Sequence, residues 1–373
     1  MKFSILKENL KQGLFSVGHL AGKNVNLPIL NNILIDAKKD SLRLVTTNLE
    51  IGITHFLRGK VEEEGAVAVD AKIFSDYISL LPNKKIDLFK ESDFLNISCE
   101  NYKTKIKIEN PEDFPLIPEI EKKDEKKVAV KELKKSLAKT VFAVSNNEAR
   151  AELSGVLFSF GKNKLVLAAT DSYRLAEKEV DLISTQEGEE DENIIIPAKT
   201  VQEILRIISG LENSGIEEVV FYVGDNQILF VADGAEVFSR LIEGQYPDYK
   251  QIIPTTAKTT AIIGRAELVR AIKASALFSK TGINDVNLDF PEGQNKIIVS
   301  SASGNAGENI ASIEAEVRGV DNGMVVNYQY LLDGLNNIDE DNIKVEIIDS
   351  NTPCLIKPLN EKGYLYIIMP IKQ

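Results

Sequence analysis

Three stretches of this sequence follow one pattern: Val67-Ala68-Val69-Asp70-Ala71-Lys72, Ile194-Ile195-Ile196-Pro197-Ala198-Lys199 and Met324-Val325-Val326-Asn327-Tyr328. In each, an extended apolar run leads into a predicted helix of similar length. The matched positions Asp70, Pro197 and Asn327 are 127 and 130 residues apart. Each carries a residue suited to a helix start, because Asp and Asn cap free backbone N–H groups and Pro fits the first turn. This recurrence predicts three copies of one domain in series.

The flanking sequence repeats on the same period. Each third opens with a short strand and a helix, the helices being predicted at residues 7–20, 131–144 and 265–278. A hairpin follows, predicted at residues 29–46, 155–169 and 286–300, and each third ends in further alternating strands. This order predicts an α+β domain with two helices packed on antiparallel sheet, with the boundaries 1–122, 123–254 and 255–373. Chance similarity among unrelated α+β domains is the alternative.

The composition is that of an ordinary globular protein. The chain has 373 residues, of which 43% are apolar and 27% charged, and this length suits two or three domains. No segment approaches the roughly 18 uninterrupted apolar residues of a membrane helix, and the N-terminus lacks the apolar stretch of a signal peptide. We therefore expect a cytoplasmic protein with no membrane contact. In that compartment Cys99 and Cys354 are expected to be buried, reduced thiols.

Several classes of enzyme are disfavoured by residues that the sequence lacks. The two histidines, His19 and His55, are too few for most zinc hydrolases and His-based triads, and we expect both to be surface or half-buried structural residues. No phosphate-binding glycine loop and no His-Glu-x-x-His motif occurs. The sequence therefore predicts no catalytic residue, no metal and no cofactor. An enzyme with a carboxylate or metal site remains an alternative, because carboxylate sites carry no short signature.

Charge is distributed unevenly along the chain. The net formal charge is −12, but the helical segments 7–20, 71–82, 131–145, 198–209, 265–279 and 327–338 carry +6 together, which leaves −18 elsewhere. If these helices line one surface, the acidic protein presents a basic face that binds phosphate without reading base sequence. Ordinary solvated lysines are the alternative. The acidic run 186–192 is expected to be a solvated loop, with an acidic docking site as its alternative.

Six short motifs, in order along the chain, carry a family resemblance. They are Met1-Lys2-Phe3, Leu27-Pro28-Ile29-Leu30-Asn31-Asn32, Thr46-Thr47-Asn48-Leu49-Glu50, Thr170-Asp171-Ser172-Tyr173-Arg174-Leu175, Tyr246-Pro247-Asp248-Tyr249 and Tyr366-Ile367-Ile368-Met369-Pro370-Ile371. With the threefold repeat, they make the whole chain resemble the bacterial DNA polymerase III beta subunit family, the sliding clamps. The resemblance implies a head-to-tail homodimeric ring of six DNA-clamp domains, with twelve helices lining a hole for duplex DNA. It also implies a non-catalytic processivity subunit in DNA replication, whose holoenzyme is a nucleotidyltransferase.

The resemblance, together with the basic helices, implies a set of DNA-facing residues. They are Lys23, Asn24, Lys72, Lys135, Lys199, Arg206 and Lys280. Asn24 stands where the family has an arginine, with Lys23 beside it. Ring closure is implied to join the first domain of one copy to the third domain of the other. Its candidate contacts are Ile106, Ile108, Leu277 and Phe278, and for the last two, packing in the core of their own helix is the alternative.

The resemblance also implies an apolar groove, between the second and third domains, that takes short hydrophobic peptides. Its members are Leu153, Thr170, Ser172, Tyr173, Arg174, Leu175, Pro247, Ile252, Asn327, Tyr330, Met369, Pro370 and Ile371. Aliphatic and Met walls accept Leu or Phe anchors, and a few polar groups fix the peptide backbone. The implied partners are the polymerase III alpha subunit, the clamp loader, other polymerases and repair proteins. Three positions depart from the family: Tyr173 replaces a histidine, Gln251 an arginine, and Lys372-Gln373 an Arg-Leu ending.

Two alternatives stay open for these features. Met369-Pro370-Ile371 also suits a final edge strand and tail. A peptide-binding adaptor that keeps the fold without encircling DNA would share the groove. Charge reversal of Lys135, Lys199 and Arg206 separates the two functions, because it would abolish clamp function and leave an adaptor's peptide binding intact.

Overall fold

The computed structural model describes residues 1–22, 26–118, 120–147, 149–183, 192–211, 215–280 and 282–372. Over these residues the α-helices are α1 (Lys7–Val17), α2 (Ala71–Leu80), α3 (Val130–Val141), α4 (Ala198–Ser209), α5 (Arg265–Ala276) and α6 (Tyr328–Asn336). Short 3-10 helices span Pro28–Asn31, Pro111–Asp113, Ala151–Leu153 and Tyr249–Ile252. Each third of the sequence contributes two α-helices, as the repeat predicts.

The strands fall into the same three sets. The first repeat has β1 (Lys2–Leu6), β2 (Asn32–Lys38), β3 (Ser41–Thr47), β4 (Ile51–Leu57), β5 (Gly59–Glu63), β6 (Gly65–Asp70), β7 (Lys85–Glu91), β8 (Phe94–Cys99) and β9 (Tyr102–Glu109). The second has β10 (Lys126–Ala129), β11 (Gly155–Phe160), β12 (Lys164–Thr170), β13 (Arg174–Asp181), β14 (Glu192–Pro197), β15 (Glu218–Gly224), β16 (Gln227–Ala232) and β17 (Ala235–Arg240). The third has β18 (Thr259–Gly264), β19 (Asp285–Phe290), β20 (Lys296–Ser303), β21 (Gly307–Gly319), β22 (Asn322–Asn327), β23 (Asn342–Ile347), β24 (Cys354–Pro358) and β25 (Tyr364–Ile368).

These strands form two large antiparallel sheets. One has the order β10-β15-β16-β17-β4-β3-β2-β6-β9-β8-β7-β1-β5, and the other β14-β11-β12-β13-β25-β24-β23-β18-β21-β20-β19-β22. The chain divides into two compact units, each built on one of the sheets. The first contains Met1–Lys134 and Lys199–Leu241, and the second contains Lys135–Asp181 and Ile242–Gln373. The strands of the middle repeat are thus shared between the two sheets.

The helix starts that decide the fold lie where the repeat predicts them. The strands β6, β14 and β22 end at Asp70, Pro197 and Asn327, and a helix begins at the next residue each time. The Asp70 carboxylate accepts a hydrogen bond from the backbone N–H of Ile73 at 2.7 Å. The Asn327 side-chain oxygen accepts one from the N–H of Gln329 at 2.9 Å. Both side chains cap their helices, so the threefold repeat is confirmed.

The first predicted hairpin is partly wrong. Pro28–Asn31 is a 3-10 helix rather than strand, and β2 begins at Asn32. Proline fixes its own backbone angle in the helical range, and the Asn32 amide donates to the carbonyl oxygens of Pro28 at 3.3 Å and Ile29 at 3.2 Å. The helix predicted to residue 20 ends at Val17, whose carbonyl accepts the Thr46 hydroxyl at 2.9 Å. The strands β4 and β13, which join the repeats, were not predicted.

The expected burial holds for the cysteines and fails for one histidine. Cys99 and Cys354 are free and buried, which confirms the prediction, and burial raises the pKa of Cys354 to about 12. His19 is largely exposed, whereas His55 is buried in β4 with 4% of its surface exposed. No sequence pattern indicated the burial of His55, because a single histidine in a strand does not show which face of the sheet it lies on. Within the described residues no helix is long and apolar enough to cross a membrane.

Candidate functional site

The turn between β12 and β13 is held by its own side chains. The Thr170 hydroxyl donates to the carbonyl of Arg174 at 2.6 Å and accepts from the N–H of Ser172 at 3.1 Å. The Asp171 carboxylate accepts from the N–H of Arg174 at 3.0 Å. These bonds keep Ser172 in the left-handed region, at φ +79°, and leave Tyr173 63% exposed at the tip. The turn therefore presents a fixed aromatic side chain to solvent.

The C-terminal strand lies beside this turn. β25 pairs with β13 so that Ile367 faces Leu175, and the N–H of Met369 donates to the carbonyl of Tyr173 at 2.9 Å. Leu175 and Ile367 are fully buried in an apolar cluster, and Met369 packs at its edge. The other buried members of that cluster are Leu157, Ala168, Ile195, Tyr249 and Leu355. The predicted groove residues on β13 and the tail therefore form one apolar wall.

Arg174 connects the turn to two helices rather than to solvent. Its guanidinium lies 4.7 Å from the centre of the Tyr330 ring, and that ring stacks on Tyr173 with the centroids 6.2 Å apart. It also forms an ion pair with Asp333 of α6 and donates to the carbonyl of Phe142, which follows α3, at 3.0 Å. With 10% of its side chain exposed, Arg174 holds the rim of the site in place. Its role is positioning.

Three other predicted groove residues lie on neighbouring segments. Leu153 is buried at the end of a 3-10 helix, with its N–H bonded to Arg150 and its carbonyl to Ser145. Pro247 lines a cleft of about 370 Å³ against β11 and β14. Ile252 ends another 3-10 helix and is 39% exposed.

The last three predicted groove residues differ in their surroundings. Asn327 caps α6 with its side chain, so its amide oxygen already accepts hydrogen bonds. Pro370 is half-buried directly after Met369. The N–H of Ile371 donates to the carbonyl of Val325 at 2.7 Å, and the Ile371 side chain lines a different cleft, between β19, β22 and the loop that follows β23.

The sequence missed two residues that hold the turn. Arg150 donates to the hydroxyl of Ser172 at 2.9 Å. The phenol oxygen of Tyr246 accepts the N–H of Thr170 at 3.1 Å, and burial raises the pKa of Tyr246 so that the phenol stays protonated. Tyr246 lies in the quoted motif Tyr246-Pro247-Asp248-Tyr249, which was a usable signal. No sequence pattern marked Arg150.

Some of the lysines predicted to face DNA are exposed to solvent, and one is ion-paired within the protein. Lys72, Lys199 and Lys280 are exposed, and Lys72 lies 3.9 Å from Asp76 in a loose helical ion pair. Lys135 is half-exposed and lies 3.1 Å from the carboxylate of Glu361. Lys23 and Asn24 lie outside the described residues.

Arg206, also predicted to face DNA, is occupied by contacts within the first unit. Its guanidinium donates to the carbonyls of Phe15 at 2.6 Å and Ser16 at 2.7 Å, and lies 5.0 Å from the centre of the Phe15 ring. Glu203 pairs with it at 2.9 Å. Only 21% of the side chain is exposed. Arg206 therefore caps the C-terminal end of α1, a position that favours a cation.

Glu361 gathers three lysines of the middle repeat. Its carboxylate lies 2.5 Å from the amine of Lys139, 3.0 Å from that of Lys178 and 3.1 Å from that of Lys135. Burial opposes ionisation, but the hydrogen bonds from these lysines lower the pKa of Glu361 to about 2. Lys139 and Lys178 are almost fully buried, with 4% and 5% of their side chains exposed. The cluster joins the hairpin between β24 and β25 to the middle repeat.

The residues predicted for ring closure lie at two strand edges. Ile106 and Ile108 are buried on β9. Leu277, just past α5, is 77% exposed and is therefore not in the core of its own helix. Phe278 is half-buried, with its ring beside Gly307 at the start of β21.

Comparison with known families covers almost all of the chain. Models of the DNA polymerase III beta subunit match in three parts: the N-terminal domain at residues 1–118, the central domain at 127–248 and the C-terminal domain at 250–372. The matches follow the three repeats in order.

Individual relatives agree along the whole length. A beta sliding clamp of Staphylococcus epidermidis is 30% identical over 382 residues, covering 100% of this chain and 99% of the relative. The putative DNA polymerase III beta subunit of Eubacterium rectale is 28% identical, with a TM-score of 0.91 and 100% of both chains covered. The sliding clamp of Bacillus subtilis is 27% identical, with a TM-score of 0.92, covering 100% of this chain and 99% of that one. The chain belongs to the DNA polymerase III beta subunit family, the beta sliding clamps.

Proposed function

We propose that two copies of this chain close head to tail around duplex DNA and tether the replicative polymerase, and other partners, to it. Membership of the family makes the chain a non-catalytic processivity subunit of DNA polymerase III in DNA replication. The site of action that we propose is the cytoplasm. The proposal has three parts: ring closure, DNA contact and a peptide groove.

Ring closure is supported by a pairing rule that the chain already obeys twice. The fourth strand of the first repeat, β4, pairs with the last strand of the second, β17, with Gly52 opposite Phe238. The fourth strand of the second repeat, β13, pairs with the last strand of the third, β25, with Leu175 opposite Ile367. In both cases the second residue of the fourth strand faces the fourth residue of the last strand.

The same rule leaves two strands for a partner copy. Among the described residues, the first half of β21 pairs on one edge with β20, and residues 102–107 of β9 pair on one edge with β8. Applying the rule to these strands puts Glu308 of one copy opposite Lys105 of the other. Opposite charges directly across a strand pair are stabilising, so this register is favourable.

The side chains around these two edges are complementary. β9 exposes Lys103, Lys105 and Lys107, whereas β21 exposes Glu308 and, at 67%, Ile310. The half-buried Phe278 lies beside Gly307 at the start of β21, and its neighbour in the chain, Leu277, adds exposed apolar surface. A lysine-bearing edge facing a glutamate-bearing edge favours pairing between unlike edges, so it supports a head-to-tail arrangement over a head-to-head one.

DNA contact is proposed to come first from Lys72, Lys199 and Lys280, because these lysines are exposed. Lys135 and Arg206 contribute less, since each is engaged by protein groups. Contacts from long, flexible lysines to phosphate carry no sequence information, which suits a protein that slides. The proposed contact of Lys23 and Asn24 rests on the family resemblance.

The groove is proposed to bind short hydrophobic peptides at the half-buried Met369 and Pro370, beside the buried side chains of Leu175 and Ile367. Tyr173 stands at its rim, and the exposed Ile252 faces solvent on the adjoining segment. A mostly apolar surface with a few fixed polar groups suits a peptide with Leu or Phe anchors. We propose that such peptides belong to partner proteins, namely the polymerase III alpha subunit, the clamp loader, other polymerases and repair proteins.

The pairing rule, with its two unpaired edges, is the observation that carries ring closure. Retention of the loaded protein on nicked circular DNA, compared with the same DNA after linearisation, tests it. We expect retention on the circle and loss from the linear form. Equal retention on both would contradict encirclement. Triple charge reversal at Lys72, Lys199 and Lys280 that leaves DNA retention unchanged would favour the adaptor function instead.

A further inference from the structure

We propose that the junction between the first and second repeats contains a second peptide cleft of the same design, held closed by Ile117 of the chain's own linker. The inference extends the groove proposed above to another place in the chain. The residues that would form this cleft all lie in the first unit.

The turn that precedes β4 has the same construction as the turn that precedes β13. The Thr47 hydroxyl donates to the carbonyl of Ile51 at 2.9 Å and accepts from the N–H of Leu49 at 3.0 Å. Asn48 accepts from the N–H of Ile51 at 2.8 Å. Leu49 has φ +79°, the value found at Ser172. The backbone frame of the groove is thus present at both junctions.

The strand beyond the junction is also equivalent. The N–H of Arg240, which ends β17, donates to the carbonyl of Glu50 at 3.1 Å. This bond matches the one from Met369 to Tyr173 at the second junction. Arg240 therefore occupies the position that Met369 has in the groove.

The linkers that follow β9 and β17 correspond as well. Each contains a proline, Pro111 or Pro247, followed within three residues by a buried aromatic residue, Phe114 or Tyr249. Three residues after the aromatic residue each linker has an isoleucine, Ile117 in the first and Ile252 in the second. The two isoleucines are thus matched in position.

The difference lies in what faces that isoleucine. Leu175 of β13 has its counterpart in Gly52 of β4, by the pairing rule. A Cβ on Gly52 would lie 2.7 Å from the δ-methyl of Ile117 and 3.0 Å from two further carbons of that side chain. Ile117 therefore occupies the space that a side chain at position 52 would need. Ile252, by contrast, is 39% exposed.

The Ile117 side chain indicates which class of ligand the cleft would bind. The space over Gly52 is filled by an aliphatic side chain carried on an extended linker, which is the manner in which a short peptide would enter. Leu49 and Leu116 add exposed apolar surface at the same junction, at 48% and 96%. A cleft opened here would therefore accept a hydrophobic peptide.

The test uses the full-length chain and the labelled hexapeptide Asp-Phe-Pro-Leu-Ile-Pro, the sequence of residues 113–118. Ile117→Ser removes the occupant, and Ile120→Ser removes the other isoleucine of the same linker as a matched control. Titration to saturation gives the number of peptides bound per chain. We expect Ile117→Ser to bind one peptide more than the unaltered chain, and Ile120→Ser to bind the same number as the unaltered chain.

A second variant refills the space. Gly52→Leu on the Ile117→Ser background places a leucine in the space that the serine leaves open, so the double variant should bind the same number of peptides as the unaltered chain. No additional peptide on Ile117→Ser, or an additional peptide that persists in the double variant, with circular dichroism and Tm showing a folded chain, overturns the proposal. Because the comparison counts additional peptides, the result does not depend on whether the groove at the second junction binds this probe. Failure of the proposed function would show instead as loss of DNA retention or ring closure.

Discussion

The two junctions inside the chain share a backbone and differ in the chemistry that secures them. At the first, β4 pairs with β17, and Arg206 caps the end of α1 through two carbonyl oxygens while His55 is buried as a neutral ring. At the second, β13 pairs with β25, and Glu361 collects three lysines. Repetition therefore fixed the strand pairing, whereas each junction acquired its own buried polar groups. Those groups make the two junctions respond differently to mutation and to pH.

The largest expected effect is at the second junction. Glu361→Gln leaves Lys139 and Lys178 buried without their counter-charge, which should lower the free energy of unfolding by about 3–5 kcal/mol. Asp339→Asn is the control, because Asp339 is 74% exposed where it pairs with Lys139 and should cost less than about 1 kcal/mol. Urea unfolding of both variants measures the difference. Similar losses for both would show that Glu361 does not secure this junction.

Acid should weaken the first junction before the second. Burial lowers the pKa of His55 from 6.5 to about 4, with Asp233 partly offsetting the shift. Folding therefore favours the neutral imidazole over the protonated one. Full stability is present above pH 6.5. As the pH falls from 6.5 to 4, the free energy of unfolding drops by about 3 kcal/mol, at about 1.4 kcal/mol per pKa unit. Glu361, with a pKa of about 2, contributes fully above pH 4.5 and loses its contribution only below that. Hydrogen exchange of the backbone amides of β17 and β25 at pH 7 and pH 4.5 distinguishes the two junctions, because β17 should lose protection at pH 4.5 and β25 should keep it.

The variant His55→Gln serves as the control for that pH dependence. It should remove the part of the acid sensitivity of β17 that lies between pH 6.5 and 4. His19→Gln, which changes an exposed ring, should leave the sensitivity intact. Equal acid sensitivity of β17 in all three chains would contradict the assignment to His55.

Arg206 should matter more for the first junction than for DNA. Arg206→Ala removes two charge-assisted hydrogen bonds to the end of α1 and should cost about 2 kcal/mol of folding free energy. Lys199→Ala, on the same helix, should change stability by less than about 0.5 kcal/mol yet weaken retention on circular DNA more than Arg206→Ala does. Denaturation and DNA-retention assays on both variants check this. If Arg206→Ala weakened DNA retention more than Lys199→Ala, Arg206 would be a DNA-contacting residue after all.

The smallest expected effect on stability is at the groove rim. Tyr173→Ala removes the stack on Tyr330 and should cost about 0.5–1.5 kcal/mol. Because Tyr173 forms the exposed rim, peptide affinity should fall several-fold. Glu50→Ala changes the matched position of the first junction and should leave peptide affinity unchanged. Calorimetric titration with a Leu-Phe peptide compares the two variants.

Much of the fold could be predicted from the sequence because the pattern for each strand or helix occurs three times, once in each repeat. Asp70 and Asn327 cap their helices as their residue types indicate, and the six α-helices of the described residues lie in the predicted places. The strands β4 and β13 escaped prediction, since their pairing partners come from the next repeat and local patterns do not show them. Ile29, Leu30 and Asn31 were predicted as strand because their apolar run outweighed the turn signal of the preceding Pro28.

The site could be predicted less completely. The resemblance gathered Thr170, Tyr173, Leu175 and Met369, which the structure brings together. It could not show that Arg206 and Lys135 are engaged by protein groups, because those partners lie far away in the sequence. The buried state of His55 was missed because a single histidine in a strand does not show which face of the sheet it lies on. Long-range polar contacts were thus the part of the molecule least visible in the sequence.

The central claim is that a third junction, made between two chains, repeats the strand pairing of the two internal ones. Sedimentation equilibrium of Lys105→Glu, of Glu308→Lys and of their equimolar mixture tests it most directly. Each variant alone places like charges across both contacts of a ring, whereas the mixture places opposite charges across both. The account predicts a dimer Kd raised at least about tenfold for each variant and restored in the mixture, with the mixed species near twice 41.3 kDa. Unchanged dimers of the single variants, or a mixture that stays as weak as its components, would contradict it.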